Sequence, residues 1–92
     1  MSTLLFPLGR CCITPGAQRK LESINAVPQE LLRRHQSGDW DGMDRSDQAA
    51  NRRAVKDGSR VFSAYQLADA VRVYVITEAD RSSTTILLPS EY

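Results

Sequence analysis

The sequence predicts an α+β domain, with N-terminal short helices packed on one face of a three- to four-stranded antiparallel β-meander. Two observations carry this expectation. Apolar residues recur at helical spacing, between cap and stop residues, from Thr14 to Gly58. From Arg60 the period drops to two, and the segments that follow are rich in β-branched and aromatic residues. Helices followed by consecutive strands favour a sheet with its helices gathered on one side.

The elements follow in order. Leu8–Ile13 fits a short edge strand. Thr14 is a good N-cap and Pro15 suits the first helical position, so a helix is predicted over Pro15–Ile24, with Ala17, Leu21 and Ile24 as a narrow apolar stripe. Asn25 tolerates the left-handed conformation that ends such a helix. Pro28 opens a second helix, Pro28–Gln36, with Val27, Leu31 and His35 on one face and Leu32 beside it. Ser37-Gly38-Asp39 breaks it, and Trp40 follows in the loop. Asp44, with Asp47 three residues on, caps a third helix over Arg45–Asp57, and Gly58 stops it. The thin stripe of Met43, Ala50 and Ala54, with Val55 beside it, predicts that this helix packs loosely. Val61, Ser63, Tyr65 and Leu67 then alternate with Phe62, Ala64 and Gln66. Ala68-Asp69-Ala70 is read as a turn. Val71–Glu78 carries apolar residues on both faces, as a central strand does. Ala79–Ser83 is a polar turn, and Thr84–Leu88 is the last strand, ended by Pro89.

A chain of 92 residues is read as a single domain, 1–92. Its 12 Lys+Arg against 11 Asp+Glu leave a formal charge of +1, so bulk charge points neither to nucleic acid nor to a membrane. No apolar run approaches the ~20 residues of a membrane span, and Met1–Leu8 lacks a secretory pattern. Cys11 and Cys12 are adjacent and on a strand would point to opposite faces, so they are read as free thiols in a reducing cytoplasm. Two Cys and one His are too few for a usual zinc site, so neither metal nor cofactor is expected.

His35, Gly38-Asp39-Trp40, Asn51, Gly58 and Ser63-Ala64-Tyr65 form a recognisable set. With them go Ile76-Thr77-Glu78-Ala79-Asp80-Arg81-Ser82, Thr84-Thr85-Ile86-Leu87-Leu88-Pro89 and Tyr92. Together they resemble a plasmid-related family of small proteins encoded on bacterial plasmids and integrative elements. The resemblance runs from Thr14 onward and departs at Ala70, where a glycine would be expected. It implies a bacterial mobile-element setting and supplies no catalytic residue.

Two functions from different classes fit the residues. The first is a non-enzymatic binding module that engages an unidentified protein partner through the C-terminal hairpin, with Glu78, Asp80, Arg81 and Trp40 as binding residues. An Arg on a rigid hairpin turn is a common recognition element, and the turn itself needs only small residues such as Ser82 and Ser83. The second is a small metal-independent ribonuclease of barnase/RelE-like arrangement. His35 or Glu78 would be the general base, Arg60 and Arg81 would hold phosphate, and Tyr65 or Thr85 would orient the 2′-hydroxyl. That reading requires His35, Arg60 and Arg81 to share one cleft; otherwise His35 simply closes the apolar face of its helix. Arg33, Arg34, Arg52, Arg53 and Lys56, with Arg60 and Arg72, could form a basic stripe for nucleic acid, with Trp40, Phe62, Tyr65 and Tyr74 as stacking surfaces. No phosphate-binding glycine loop, nucleophile elbow or HExxH is present. Because adjacent cysteines bridge only with difficulty, the melting temperature is expected to be the same with and without reductant. A large drop on adding reductant would contradict the thiol assignment.

Overall fold

The computed structural model describes residues 4–67 and 70–92. In chain order the elements are β1 (Arg10–Ile13), α1 (Pro15–Ser23), α2 (Pro28–Ser37), α3 (Arg45–Asp57), β2 (Val61–Gln66), β3 (Arg72–Thr77) and β4 (Ser83–Leu87), closed by a 3-10 turn over Pro89–Glu91. Of the turn expected at Ala68-Asp69-Ala70, Ala68 and Asp69 lie outside the described residues. Ala70 has φ +61°, the conformation for which a glycine was expected.

The α+β class holds, but the sheet is mixed. Its order is β1-β4-β3-β2. β2, β3 and β4 form the expected antiparallel meander, and β1 adds to the free edge of β4 in the parallel sense. A strand therefore precedes the helices and completes the sheet they cover. The parallel register sets Ile13 beside Ile86, so two apolar side chains meet on the helix-covered face. Gly9 turns the chain into β1 at φ +66°, against the backbone of Ser82, where a Cβ would collide with carbonyl oxygens.

The helix ends follow local chemistry. Thr14 Oγ1 accepts from the Ala17 N–H at 3.2 Å, and an Asp44 carboxylate oxygen accepts from the Asp47 N–H at 2.8 Å. Asn25, Gly38 and Gly58 take positive φ at or just beyond the helix ends. Two apolar clusters result. Ala17, Leu21 and Leu31 pack on Tyr65, Val73, Val75 and Ile86. Phe6, Trp40, Ala54 and Val61 form the second cluster, under α3.

The buried residues of α3 are Asn51 and Ala54, whereas Ala50 is exposed. The expected stripe is thus displaced by one position, toward a polar residue. Asn51 Nδ2 donates to the Phe62 carbonyl at 2.8 Å, and the Phe62 N–H donates to Asn51 Oδ1 at 3.1 Å. The side-chain amide copies the backbone of a neighbouring strand and occupies part of the outer edge of β2. Among the described residues no helix is long and apolar enough to cross a membrane. Asn51→Ala removes both bonds, and unfolding free energy is expected to fall by roughly 1–3 kcal/mol in urea denaturation. A loss under about 0.5 kcal/mol, the range of an ordinary surface change, would mean that water replaces the amide without penalty.

Candidate functional site

The strand faces decide which polar side chains are available. On the helix-covered face, in phase with Val61, Val73, Val75 and Ile86, lie three hydroxyls: Ser63, Thr77 and Thr84. All three are fully buried, and so is His35, which descends on them from α2. Trp40 Nε1 lies 2.7 Å from Ser63 Oγ, which is 2.6 Å from His35 Nδ1. His35 Nε2 lies 2.8 Å from Thr77 Oγ1, which is 2.6 Å from Thr84 Oγ1. Thr84 Oγ1 is 2.7 Å from the Leu8 carbonyl oxygen.

The carbonyl end fixes the direction of the bonds back to His35, and the indole end fixes its own. An indole N–H only donates and a carbonyl only accepts, while each hydroxyl has one proton to give. Thr84 donates to Leu8, Thr77 to Thr84, and the Nε2–H of His35 to Thr77. Ser63 accepts from Trp40. Burial keeps the imidazole neutral, with its proton on Nε2, so Ser63 donates to His35 Nδ1. Burial, and then the Arg81 charge, push its pKa down to about 3.

Arg81 also departs from the exposed recognition role expected for it. It sits at φ +61° and turns its guanidinium back under the hairpin. Nη2 donates to the Ala54 carbonyl at 2.9 Å, and Nη1 donates to the Ser59 carbonyl at 2.6 Å and the Glu78 carbonyl at 3.3 Å. Its plane lies 5.5 Å from the Phe6 ring, which meets His35 edge-on at 5.1 Å. Arg81 thus ties the end of α3 to the β3–β4 turn. Asp80 accepts from the Ser82 N–H at 3.0 Å and closes the turn, and Glu78 is exposed at its start. Among the described residues neither acid forms an ion pair with Arg81.

The ribonuclease set does not converge. His35 is sealed beneath the helices with both ring nitrogens engaged. Arg60 lies beyond the other sheet face, with Nη2 donating to the Tyr92 hydroxyl at 2.6 Å. Thr85 points away from Thr84, to that same far face. The Tyr65 hydroxyl is buried, and burial raises its pKa to about 12. That hydroxyl has no hydrogen-bond partner among the described residues. Trp40, expected as a binding residue, is buried as a plug between the loop and the sheet.

The basic residues are divided as well. Arg33 pairs with Glu30, and Arg34 pairs with Asp39 at 2.8 Å while lying 4.4 Å over the Tyr65 ring. These four side chains and Ser37 line a shallow cleft of about 490 Å³ in which the charges balance. Arg52, Arg53 and Lys56 are exposed on α3.

The far sheet face carries the other group of interest. Phe62, Tyr74 and Tyr92 cluster there, with ring centroids 4.7, 5.7 and 5.9 Å apart. The Arg60 and Arg72 guanidiniums lie over Tyr92 and Tyr74 at 5.7 and 5.9 Å. Among the described residues neither arginine has a carboxylate partner. Sequence reasoning singled out Phe62, Tyr74, Arg60 and Arg72 but did not join Tyr92 to them. The signal was the shared phase of Arg60 with Phe62 and of Arg72 with Tyr74; the strand register brings the two pairs together. Comparisons with family models, with curated proteins and with solved structures returned no match.

Two predictions follow from these interactions. An unfolded chain protonates His35 below about pH 6.5, whereas the folded chain resists until about pH 3. The stability this confers is complete above the unfolded pKa and is lost as pH falls toward the folded one, at up to about 1.4 kcal/mol per pH unit. The Asp44, Asp57, Asp80 and Glu91 carboxyls are held below their usual range by hydrogen bonds from the Asp47 amide and the Ser59, Ser82 and Thr14 hydroxyls respectively, so they lose stability only at lower pH. Urea unfolding between about pH 7 and 5 should show the slope in the parent chain and a flatter line in His35→Gln; equal slopes would disprove the assignment. Arg81→Ala is expected to cost roughly 1–3 kcal/mol, and Arg81→Gly less, because glycine accepts the positive φ. An Arg81→Ala chain as stable as the parent would return this side chain to the list of exposed recognition residues.

Proposed function

We propose that this chain is a binding module for a protein partner, and that it recognises an acidic segment of that partner through Arg60, Phe62, Arg72, Tyr74 and Tyr92, with Glu78 on the rim. The observation that carries the reading is the patch itself: three packed aromatic rings beside two arginines without carboxylate partners among the described residues. Tyr and Arg are the residue types that concentrate binding energy at protein interfaces. Ring geometry favours a protein over a nucleic-acid strand. The rings meet at interplanar angles of 54°, 70° and 89°, so they offer no parallel faces on which successive bases would stack. The engaged state of His35 supports binding over acid–base chemistry, since a general base must reach the proton it removes. The resemblance to plasmid and integrative-element proteins supports a role as an accessory protein of a bacterial mobile element.

The test is affinity capture from a bacterial lysate with three immobilised chains: the parent, Arg72→Glu/Tyr92→Ala, and Arg52→Glu/Arg53→Glu. The partner should be held by the parent and by the helix variant. The face variant should bind it at least about tenfold more weakly on titration, as loss of an interface anchor does. Equal binding by the face variant would remove this surface from consideration. A ribonuclease activity that disappears in folded His35→Gln would overturn the reading as a whole.

A further inference from the structure

The two edges of the sheet are treated differently. At β2, Asn51 engages the outward backbone of Phe62. At β1, the Arg10 and Thr14 N–H groups point inward, to the Ser82 and Ile86 carbonyls of the β4 side. By the two-residue period, the backbone groups of Cys11 and Ile13 point outward, on an edge whose first three residues are exposed. Neither proline nor lysine guards it.

We propose that β1 pairs antiparallel with β1 of a second copy of this chain, about a two-fold axis at Cys12. The register follows from the residues. Pairing Cys11 with the partner's Ile13 uses all the outward groups of both strands. Moving the axis to Cys11 would bring Gly9, which is out of the strand at φ +66°, opposite Ile13. Moving it to Ile13 would bring Pro15, which has no N–H, opposite Cys11.

In the remaining register two complementarities appear. Arg10 falls opposite the partner's Thr14. Thr14 Oγ1 holds a Glu91 carboxylate oxygen at 2.6 Å, so the guanidinium meets that carboxylate at both ends of the interface. Arg10 makes no ion pair within its own chain among the described residues. On the helix-covered side, the partner's Ile13 falls beside Cys11. Cys11 lines a groove of about 230 Å³ with Pro28, Leu32 and Ile86, and that apolar side chain would sit at its mouth. The two four-stranded sheets become one continuous sheet. The two Cys12 residues form a non-hydrogen-bonded pair at the axis, about 4.5 Å apart between α-carbons, within the span of a disulfide.

The experiment combines sedimentation equilibrium with a thiol trap. The parent chain should show a monomer–dimer equilibrium. Arg10→Glu sets like charges together at both ends, and the dimer should weaken at least about tenfold. Cys11→Pro deletes one outward N–H without disturbing the inward ladder, and the dimer should be lost. With diamide as oxidant, two Cys12 thiols give up two protons and two electrons to it as the S–S bond forms. Cys11→Ser should therefore cross-link rapidly, and Cys12→Ser should not. A parent chain that is monomeric at every concentration would overturn the proposal. So would a dimer that folded Arg10→Glu and folded Cys11→Pro leave intact, or equal cross-linking through Cys11 and Cys12.

Discussion

Five hydrogen bonds in series, from the Trp40 indole through Ser63, His35, Thr77 and Thr84 to the Leu8 carbonyl, run through the interior and tie separate segments of the chain together. They link the loop after α2, the helix itself, one residue from each strand of the meander, and the N-terminal segment leading into β1. Every side chain in the series is buried, so each unmade bond would leave a polar group dry at a penalty of about 1–3 kcal/mol. The series also has no freedom to reverse, because its ends are a pure donor and a pure acceptor and burial keeps the imidazole between them neutral. Apolar packing in a domain this small tolerates shifts of helix on sheet. A directed set of short bonds does not, and it selects one seating for α2.

The same bonds explain why the protein's single histidine does not behave as an exposed catalytic group. Between Phe6, with Arg81 beyond it, and the strand hydroxyls, an imidazolium would be buried facing a second positive charge. Arg81 contributes a second lock, by gathering carbonyls from the end of α3, the start of the linker to β2 and its own turn. The two locks share Phe6. Of the features that make the hairpin look chemically rich in sequence, Thr77, Arg81 and Thr84 are turned inward, and the far sheet face holds aromatic and cationic groups that remain partly exposed.

How much of this was legible depends on the range of the interaction. The bounds of α1, α2 and α3 were readable because Thr14, Pro15, Pro28, Asp44 and Gly58 act within four residues of themselves. Which residues of β2 and β3 share a face was readable because side chains alternate along any strand; which face the helices cover was not, since both faces carry apolar residues. The mixed sheet was not: pairing Arg10–Ile13 with Ser83–Ile86 is a decision between segments more than seventy residues apart, and no local propensity encodes its direction. Asn51 was hidden because a polar residue on a helix is ordinarily read as exposed. Ser63, Thr77 and Thr84 did carry a signal, as polar residues in phase with core valines, but which of them meets His35 required the register. Arg81 carried none, since turn chemistry does not reveal which carbonyls fold over a side chain.

The Asn51 amide has a consequence for how far the sheet can grow. A domain with two free edges is a building block for filaments, each copy templating the next in the manner of cross-β fibres. Here a strand arriving at β2 must first evict an amide that already satisfies both backbone groups of Phe62. Edge-to-edge polymerisation is therefore obstructed on one side of every molecule, by one side chain on a neighbouring helix. That stop needs no charge, proline or bulge on the strand itself, and the Phe62 ring still joins Tyr74 and Tyr92 on the far sheet face.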